Sequence, residues 1–402
     1  MPRLQFWRRP ATLPPIAGFA QREADLRYAL HPRAFLPGNH VDVLRDGGRA
    51  YPAMLAAIAA AREHVHLETY ILVADRTGRR FGQALIERAR AGVEVRLLFD
   101  ALGSIGLSSE YLAELRHAGV RVAAYNPIAQ WRRRFALPHR DHRKILVVDG
   151  RVGFTGGMNL SDDYAAVEDG GIGWHDMHCQ ITGPAVGELA RLFRRTWIKA
   201  GGDAFFLRET RSEESVASAD AALASILGNE GRRKKTPIRR AYLHAIRRAT
   251  RTIAITNAYF IPDRGIRRAL TNAARRGVQV RVVVPARSDV PAVQWATRHM
   301  YAHLLKAGVK VYEWAGRMVH AKTAVIDEVW STVGSSNLDY RSLKVNLEVV
   351  AIVIDRTFGR RMAEQFALDV AESDPIVLEV WKKRPWWHRP IEWLFFQLRS
   401  WL

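Results

Sequence analysis

The chain contains itself twice. His142, Lys144, Asp149, Gly156 and Asn159 recur as His320, Lys322, Asp327, Gly334 and Asn337, each pair 178 positions apart with no gap inside the block. Upstream, the stretch AGVRV at 118–122 returns as AGVKV at 307–311 and Tyr70 matches Tyr259, all at an offset of 189, so the first copy carries 11 extra residues between Val122 and His142. A long-period repeat limits the fold more than any composition does, because whatever one copy folds into the other must fold into as well. A length of 402 residues gives room for two cores of similar size.

Within each copy, helical spacing of apolar residues alternates with short extended runs. Helices are expected at 51–62 and 239–251, strands at 65–72 and 252–261, then helices at 79–91 and 265–276 that end at Gly92 and Gly277, where a left-handed cap is expected. Strands at 93–100 and 278–285 follow. The alternation points to an α/β fold of two similar halves, each a mixed sheet flanked by helices. The expected organisation is an N-terminal extension (1–37), a first domain (38–207), a Ser-, Gly- and charge-rich linker containing the boundary (208–235), a second domain (236–380) and a basic aromatic tail (381–402).

Apolar runs flank Asp149-Gly150, the sequence of a two-residue hairpin turn, and Asp327-Glu328 repeats the arrangement. Such a hairpin sets position 144 opposite 155 and 142 opposite 157, and the period of two brings His142, Lys144 and Asn159 to one face, with His320, Lys322, Ser335 and Asn337 gathered likewise. The candidate catalytic set is therefore His142, Lys144, Asp149, His320, Lys322 and Asp327. Within it, Asp149 and Asp327 fall at the turns and are assigned to structure rather than chemistry. Asn159, Ser335 and Asn337 are the candidate substrate donors.

The pattern suits a phosphodiester. Attack on phosphorus needs positive charge and hydrogen-bond donors around the developing dianion, a nucleophile, and an acid for the leaving alcohol. Lysines and asparagines supply the first, and two imidazoles titrating near neutrality supply the rest. Each copy holds one motif histidine, so the halves must face each other around one site. Neither a cofactor nor a metal is expected. The spacing of His139, Asp141 and His142 would allow metal ligation, but Lys144 would repel the cation. Trp174, His175 and His178 read as packing or pocket-wall residues, and the single cysteine, Cys179, as a small core residue.

The two blocks His142-x-Lys144-x4-Asp149-x6-Gly156-Gly-x-Asn159 and His320-x-Lys322-x4-Asp327-x6-Gly334-Ser-x-Asn337 resemble the paired HKD motifs of the phospholipase D superfamily, with the likeness extending over about 38–380. The resemblance implies two α/β halves around one site, a phosphohistidine on one histidine (His142 preferred) and acid–base work by the other. It also implies a carboxylate downstream of each motif that orients that motif's histidine, here Asp176 and Glu348. Gly157 departs from the usual Ser, which implies one hydroxyl donor fewer in the first half. Leu67-Glu68-Thr-Tyr70-Ile71, Asp75-x-x-Gly78, Trp174-His-Asp176 and Asn257-x-Tyr259-Phe-x-Pro262 are similar to bacterial cardiolipin synthases, in a short form without N-terminal transmembrane helices. The implied reaction moves a phosphatidyl group between phosphatidylglycerol molecules with release of glycerol. A hydrolase or a nuclease of the same superfamily would use the same residues.

A net charge of +21 requires an anionic partner. Residues 125–141 combine Trp131, Phe135 and Leu137 with Arg132, Arg133, Arg134 and Arg140 just before His142, and in the tail Trp381, Trp386 and Trp387 stand among Lys382, Lys383, Arg384, His388 and Arg389 ahead of the apolar segment 391–402. Both suit an anionic phospholipid membrane surface better than nucleic acid, although the tail could equally dock on the protein's own core. A peripheral protein at the cytoplasmic side of the plasma membrane, acting on a phospholipid, is the expectation. Oligomeric state stays open.

Overall fold

Short apolar runs closed by glycines set the local elements. The computed structural model describes residues 24–127, 139–207, 221–231 and 236–402. Gly92 and Gly277 adopt φ of +85° and +92°, the left-handed caps expected after the helices Arg76–Arg90 and Arg264–Arg275. Each of these helices also has an aspartate cap, Asp75 accepting from Gly78 N and Asp263 from Gly265 N and Ile266 N.

The first half supplies β1 (Leu36–Arg45), β2 (His64–Thr69), β3 (Glu94–Asp100), β4 (Arg121–Tyr125), β5 (Ile145–Val148), β6 (Val152–Gly156) and β7 (Met177–Thr182). The second supplies β8 (Ala222–Glu230), β9 (Thr252–Asn257), β10 (Gln279–Pro285), β11 (Lys310–Trp314), β12 (Lys322–Ile326), β13 (Trp330–Gly334) and β14 (Leu347–Ile354), with a short β15 (Ser373–Pro375) at the edge. The first half runs β1-β7-β6-β5-β2-β3-β4 and the second β8-β14-β13-β12-β9-β10-β11. The repeat is thus a repeat of topology. In each half the three outer strands are parallel and the others antiparallel, giving the mixed sheet expected.

Three features differ from the sequence expectation. The halves are joined edge to edge through β1 and β8, which makes one 15-stranded sheet. Accordingly there are three apolar clusters rather than two. One belongs to each half, and a third mixes Ile145, Met177 and Ile181 with Val325, Val333 and Val349. Second, the expected linker 208–235 holds β8, paired along β14 from Leu223 to Glu230; its Ser- and charge-rich ends, 208–220 and 232–235, lie outside the described residues. Third, the part of the N-terminal extension that is described packs on the second half, through Tyr28 Oη donating to Asp327 at 2.5 Å and Arg356 paired with Asp25.

The hairpins also turn one residue later than expected. Val148 pairs with Val152 and Ile145 with Thr155, so the turn spans 149–151, and Ile326–Trp330 closes the second turn in the same way. Asp149 (φ +51°) and Gly150 (φ +64°) take the left-handed conformation. β5 begins at Ile145, which leaves His142 and Lys144 just ahead of the strand.

Candidate active site

β14 is buried along its whole length, and Glu348 is its one ionisable residue. A carboxylate there is costly without partners. It has two: His142 Nδ1 lies 3.1 Å from Oε2, and Ser335 Oγ donates to the same oxygen. Asp176, equally buried just before β7, lies 2.7 Å from His320 Nδ1 and accepts the Met177 N–H at 2.6 Å. The carboxylates therefore cross between the halves, where the resemblance implied that each would serve its own motif. The backbone enforces the exchange. His142 N donates to Leu347 O at 2.9 Å, and His320 N donates to His175 O at 2.7 Å. Asp141 bridges to Leu347 and His175 to Val319 in the same sense. The residue before each histidine thus pairs with the residue before the other half's carboxylate. With Nδ1 engaged on each ring, Nε2 is the nitrogen left for chemistry.

Each lysine folds back on its own motif, Lys144 Nζ donating to His142 O at 2.8 Å and Lys322 Nζ to His320 O. Gly156 and Gly334 sit where a Cβ would overlap the Met177 and Val349 carbonyls, the reason for glycine at both positions. Tyr70 meets His142 edge-on at 4.9 Å between ring centroids, and its repeat partner Tyr259 stands 6.5 Å from His320.

Burial dominates the electrostatics. It pushes both histidines well below their ordinary value, and the positive lysines add to the effect. This corrects the expectation of imidazoles titrating near neutrality. Burial also lowers Lys144 to about 7 and Lys322 to about 8, and raises Asp176 to about 7 and Glu348 to about 8. Burial thus works against the charged form of every member of the cluster, lysines, imidazoles and carboxylates alike.

The remaining expected residues fall as follows. Ser335, expected to donate to phosphate, instead donates to Glu348, and its oxygen accepts the Val349 N–H at 3.0 Å. Its counterpart Gly157 is not simply a lost hydroxyl, because a Cβ there would overlap the Asp176 carboxylate. Asn159 is tied to the scaffold, Nδ2 donating to Tyr164 Oη at 2.8 Å and Oδ1 accepting the Ile71 N–H at 3.1 Å. Asn337 is buried just after β13. Asp149 and Asp327 belong to the turns: Asp149 accepts the N–H groups of Arg62, Glu63 and His64, and Asp327 those of Thr250, Arg251 and Thr252, each anchoring the start of a neighbouring strand. They stand apart from the histidine–carboxylate pairs.

One group at the site, Tyr164, went unread in the sequence, and another, His175, was read only as packing or pocket wall. Tyr164 Oη lies 3.2 Å from His320 Nδ1, and Trp174 packs against both rings, its pocket-wall role. Tyr164 has no aromatic at the repeat position 342, so the repeat could not point to it. His175 bridges the partly exposed Asp46 (2.6 Å) and the buried Asp369 (3.2 Å) and stacks on Trp314, an ion cluster where packing or a pocket wall was expected. Although burial opposes its charge, these carboxylates raise it to about 9. His139 lies against Lys199 and Tyr125, and among the described residues no group of three or more His, Cys, Asp or Glu is placed to hold a metal ion.

The family described as "Cardiolipin synthase, PLD-like domain" matches residues 54–197 and 242–370, one segment for each half of this site. The chain belongs to that family. It is similar to curated cardiolipin synthases: 35% identical over 350 residues to that of Geobacillus sp. (strain WCH70), covering 87% of this chain and 70% of the relative. The major cardiolipin synthase of Bacillus subtilis (strain 168) is 33% identical over 355 residues, covering 88% of this chain and 74% of the relative. Among solved structures, the phosphatidylserine synthase of Haemophilus influenzae Rd KW20 superposes with a TM-score of 0.70 at 12% identity, over 95% of this chain and 99% of that one, which shows the shared fold. In this member of the cardiolipin synthase family, no helix among the described residues is long and apolar enough to cross a membrane. The basic aromatic segment around Trp131 and Phe135 lies outside the described residues.

Proposed function

We propose that the chain is a phosphatidyl transferase of the cardiolipin synthase type, and the crossed His142–Glu348 and His320–Asp176 pairs carry the reading. His142 is the nucleophile, supported by its greater exposure: 12% of its side chain is accessible against 6% for His320, which Tyr164 and Trp174 wall in. His142 Nε2 attacks the phosphorus of phosphatidylglycerol, the P–O bond to the head-group glycerol breaks, and His320 gives its proton to the leaving oxygen. That proton is acquired when the substrate anion enters and offsets the cost of charging a buried imidazole. Lys144 and Lys322 oppose the charge on the phosphoryl oxygens. A hydroxyl of a second phosphatidylglycerol then gives its proton to His320 and attacks phosphorus, the P–N bond breaks, and cardiolipin leaves with His142 restored. The substrate is met at an anionic phospholipid surface on the cytoplasmic side of the membrane, a partner that the charge of +21 favours.

The test is purified protein with vesicles containing labelled phosphatidylglycerol, products separated by mass. Cardiolipin and glycerol in equal amounts are expected. Phosphatidic acid in place of cardiolipin would make the chain a hydrolase.

A further inference from the structure

The last helix, His388–Gln397, has two apolar faces. Its inner face is docked. Phe396 stacks on His299 at 4.6 Å, and His388 meets Trp295 of the helix Pro291–Arg298 at 5.2 Å. Glu392, 1% exposed, accepts the Arg384 guanidinium at 2.9 and 2.8 Å. Its outer face carries Trp393 and Leu394, and the flanking turns add Trp386 and Trp387 before the helix and Leu398 and Trp401 after it, all exposed, Trp386 to 78% and Trp401 to 65%. Exposed apolar side chains are ordinary singly, but four exposed tryptophans along an already docked helix and its flanking turns are not.

Its surroundings are cationic. Glu392 is the only acid between Trp381 and Leu402, and it is buried and paired. Lys382, Lys383 and Arg389 are exposed beside these tryptophans. Arg267 lies over the Phe396 ring at 5.7 Å, and its helix, Arg264–Arg275, borders a groove of about 420 Å³ lined by Arg247, Arg264, Arg268 and Arg276. A second copy of the chain would set these cations against themselves, whereas a surface of anionic head groups over acyl chains meets both halves of the chemistry: tryptophans at the boundary, arginines on the phosphates. The face is also tied to the site. The helix on which it docks, Pro291–Arg298, follows Asp289, whose carboxylate accepts the Tyr259 hydroxyl at 2.7 Å, and Tyr259 walls His320.

We infer that the outer face of His388–Gln397, with the arginines of Arg264–Arg275, is a rigid membrane-seating surface for an anionic bilayer. It is folded before it meets lipid and seats the protein with the entrance beside Tyr259 toward the head groups. This rests on the proposed function for its purpose, though not for its test. Full-length protein is floated with phosphatidylcholine vesicles with and without phosphatidylglycerol, and tryptophan emission is followed with bromine-labelled lipid. The parent is expected to bind the anionic vesicles with quenching. A variant carrying Ser at 386, 387, 393 and 401 should partition at least about tenfold more weakly, while its turnover of a water-soluble short-chain phosphodiester stays at the parent rate. Absence of quenching in the parent, or variant binding as tight as the parent's, overturns the inference. So does a parent dimer that the substitutions dissolve without weakening vesicle binding. If the variant loses vesicle binding but the parent makes no cardiolipin, the functional reading fails and the seating surface stands.

Discussion

Both halves place seven strands in the same order, yet they hold the carboxylates that face the histidines by different means. The second half uses the longer Glu348 inside a fully buried strand, preceded by apolar Leu347 and steadied by Ser335. The first uses the shorter Asp176, preceded by His175 in an ion cluster with Asp46 and Asp369, and has glycine where the serine would be. A carboxylate one methylene closer to the backbone occupies the space that a Cβ at 157 would need. The pairs Gly–Asp and Ser–Glu are thus two solutions to one spacing, and a repeat can keep its geometry while its residues diverge in concert.

The largest effect should come from the histidines, to which the proposed mechanism gives unequal roles. Either His142→Ala or His320→Ala is expected to lower turnover by about 10⁴-fold or more, since neither half holds both nucleophile and acid. A phosphatidyl-histidine should accumulate only with His142 intact, as shown by mass analysis of peptides quenched and digested at alkaline pH, where the P–N bond survives. Equal labelling of both histidines would erase the distinction.

Next comes Gly157→Ser, which makes the first half look like the second. If Gly157 were only a missing donor, the serine would raise activity. Overlap with Asp176 instead predicts a fall of about 10²-fold, through displacement of the carboxylate that orients His320. Steady-state kcat on phosphatidylglycerol micelles decides. The converse change, Ser335→Ala, removes one hydrogen bond to Glu348 without crowding, and about a tenfold fall in kcat is expected with KM little changed.

The smallest effect concerns stability. His175 has its folded value raised to about 9, so its charged form contributes stability that is fully present below the unfolded value of about 6.5 and is lost as pH rises through about 9. His175→Gln should therefore lower Tm by at least about 2–4 °C at pH 6 and by almost nothing at pH 10, in thermal melts across that range. A pH-independent difference would reduce the cluster to packing against Trp314.

Much of this was legible beforehand. The repeat required two copies of one topology, the apolar periods located the helices and strands to within a few residues, and glycines marked the helix ends. Each of those signals is local, or a comparison of the chain with itself. The crossing of the carboxylates is neither. Glu348 and His142 are separated by 206 positions and Asp176 and His320 by 144, and no periodicity says which partner a downstream carboxylate will meet. The turn register was misread by one residue because Asp149-Gly150 fits a two-residue loop as well as part of a longer one.

By itself the sequence determined the family and the repeat: two His-x-Lys motifs in two copies of one topology on a basic chain. Only the tertiary structure decided how those motifs are held. Pairing β1 with β8 turns two sheets into one and brings β6 and β7 against β13 and β14, and the backbone bonds His142–Leu347 and His320–His175 then exchange the carboxylates. The reason is physical: a buried carboxylate takes whichever donor the packed interface presents, and that interface exists only once both halves have folded.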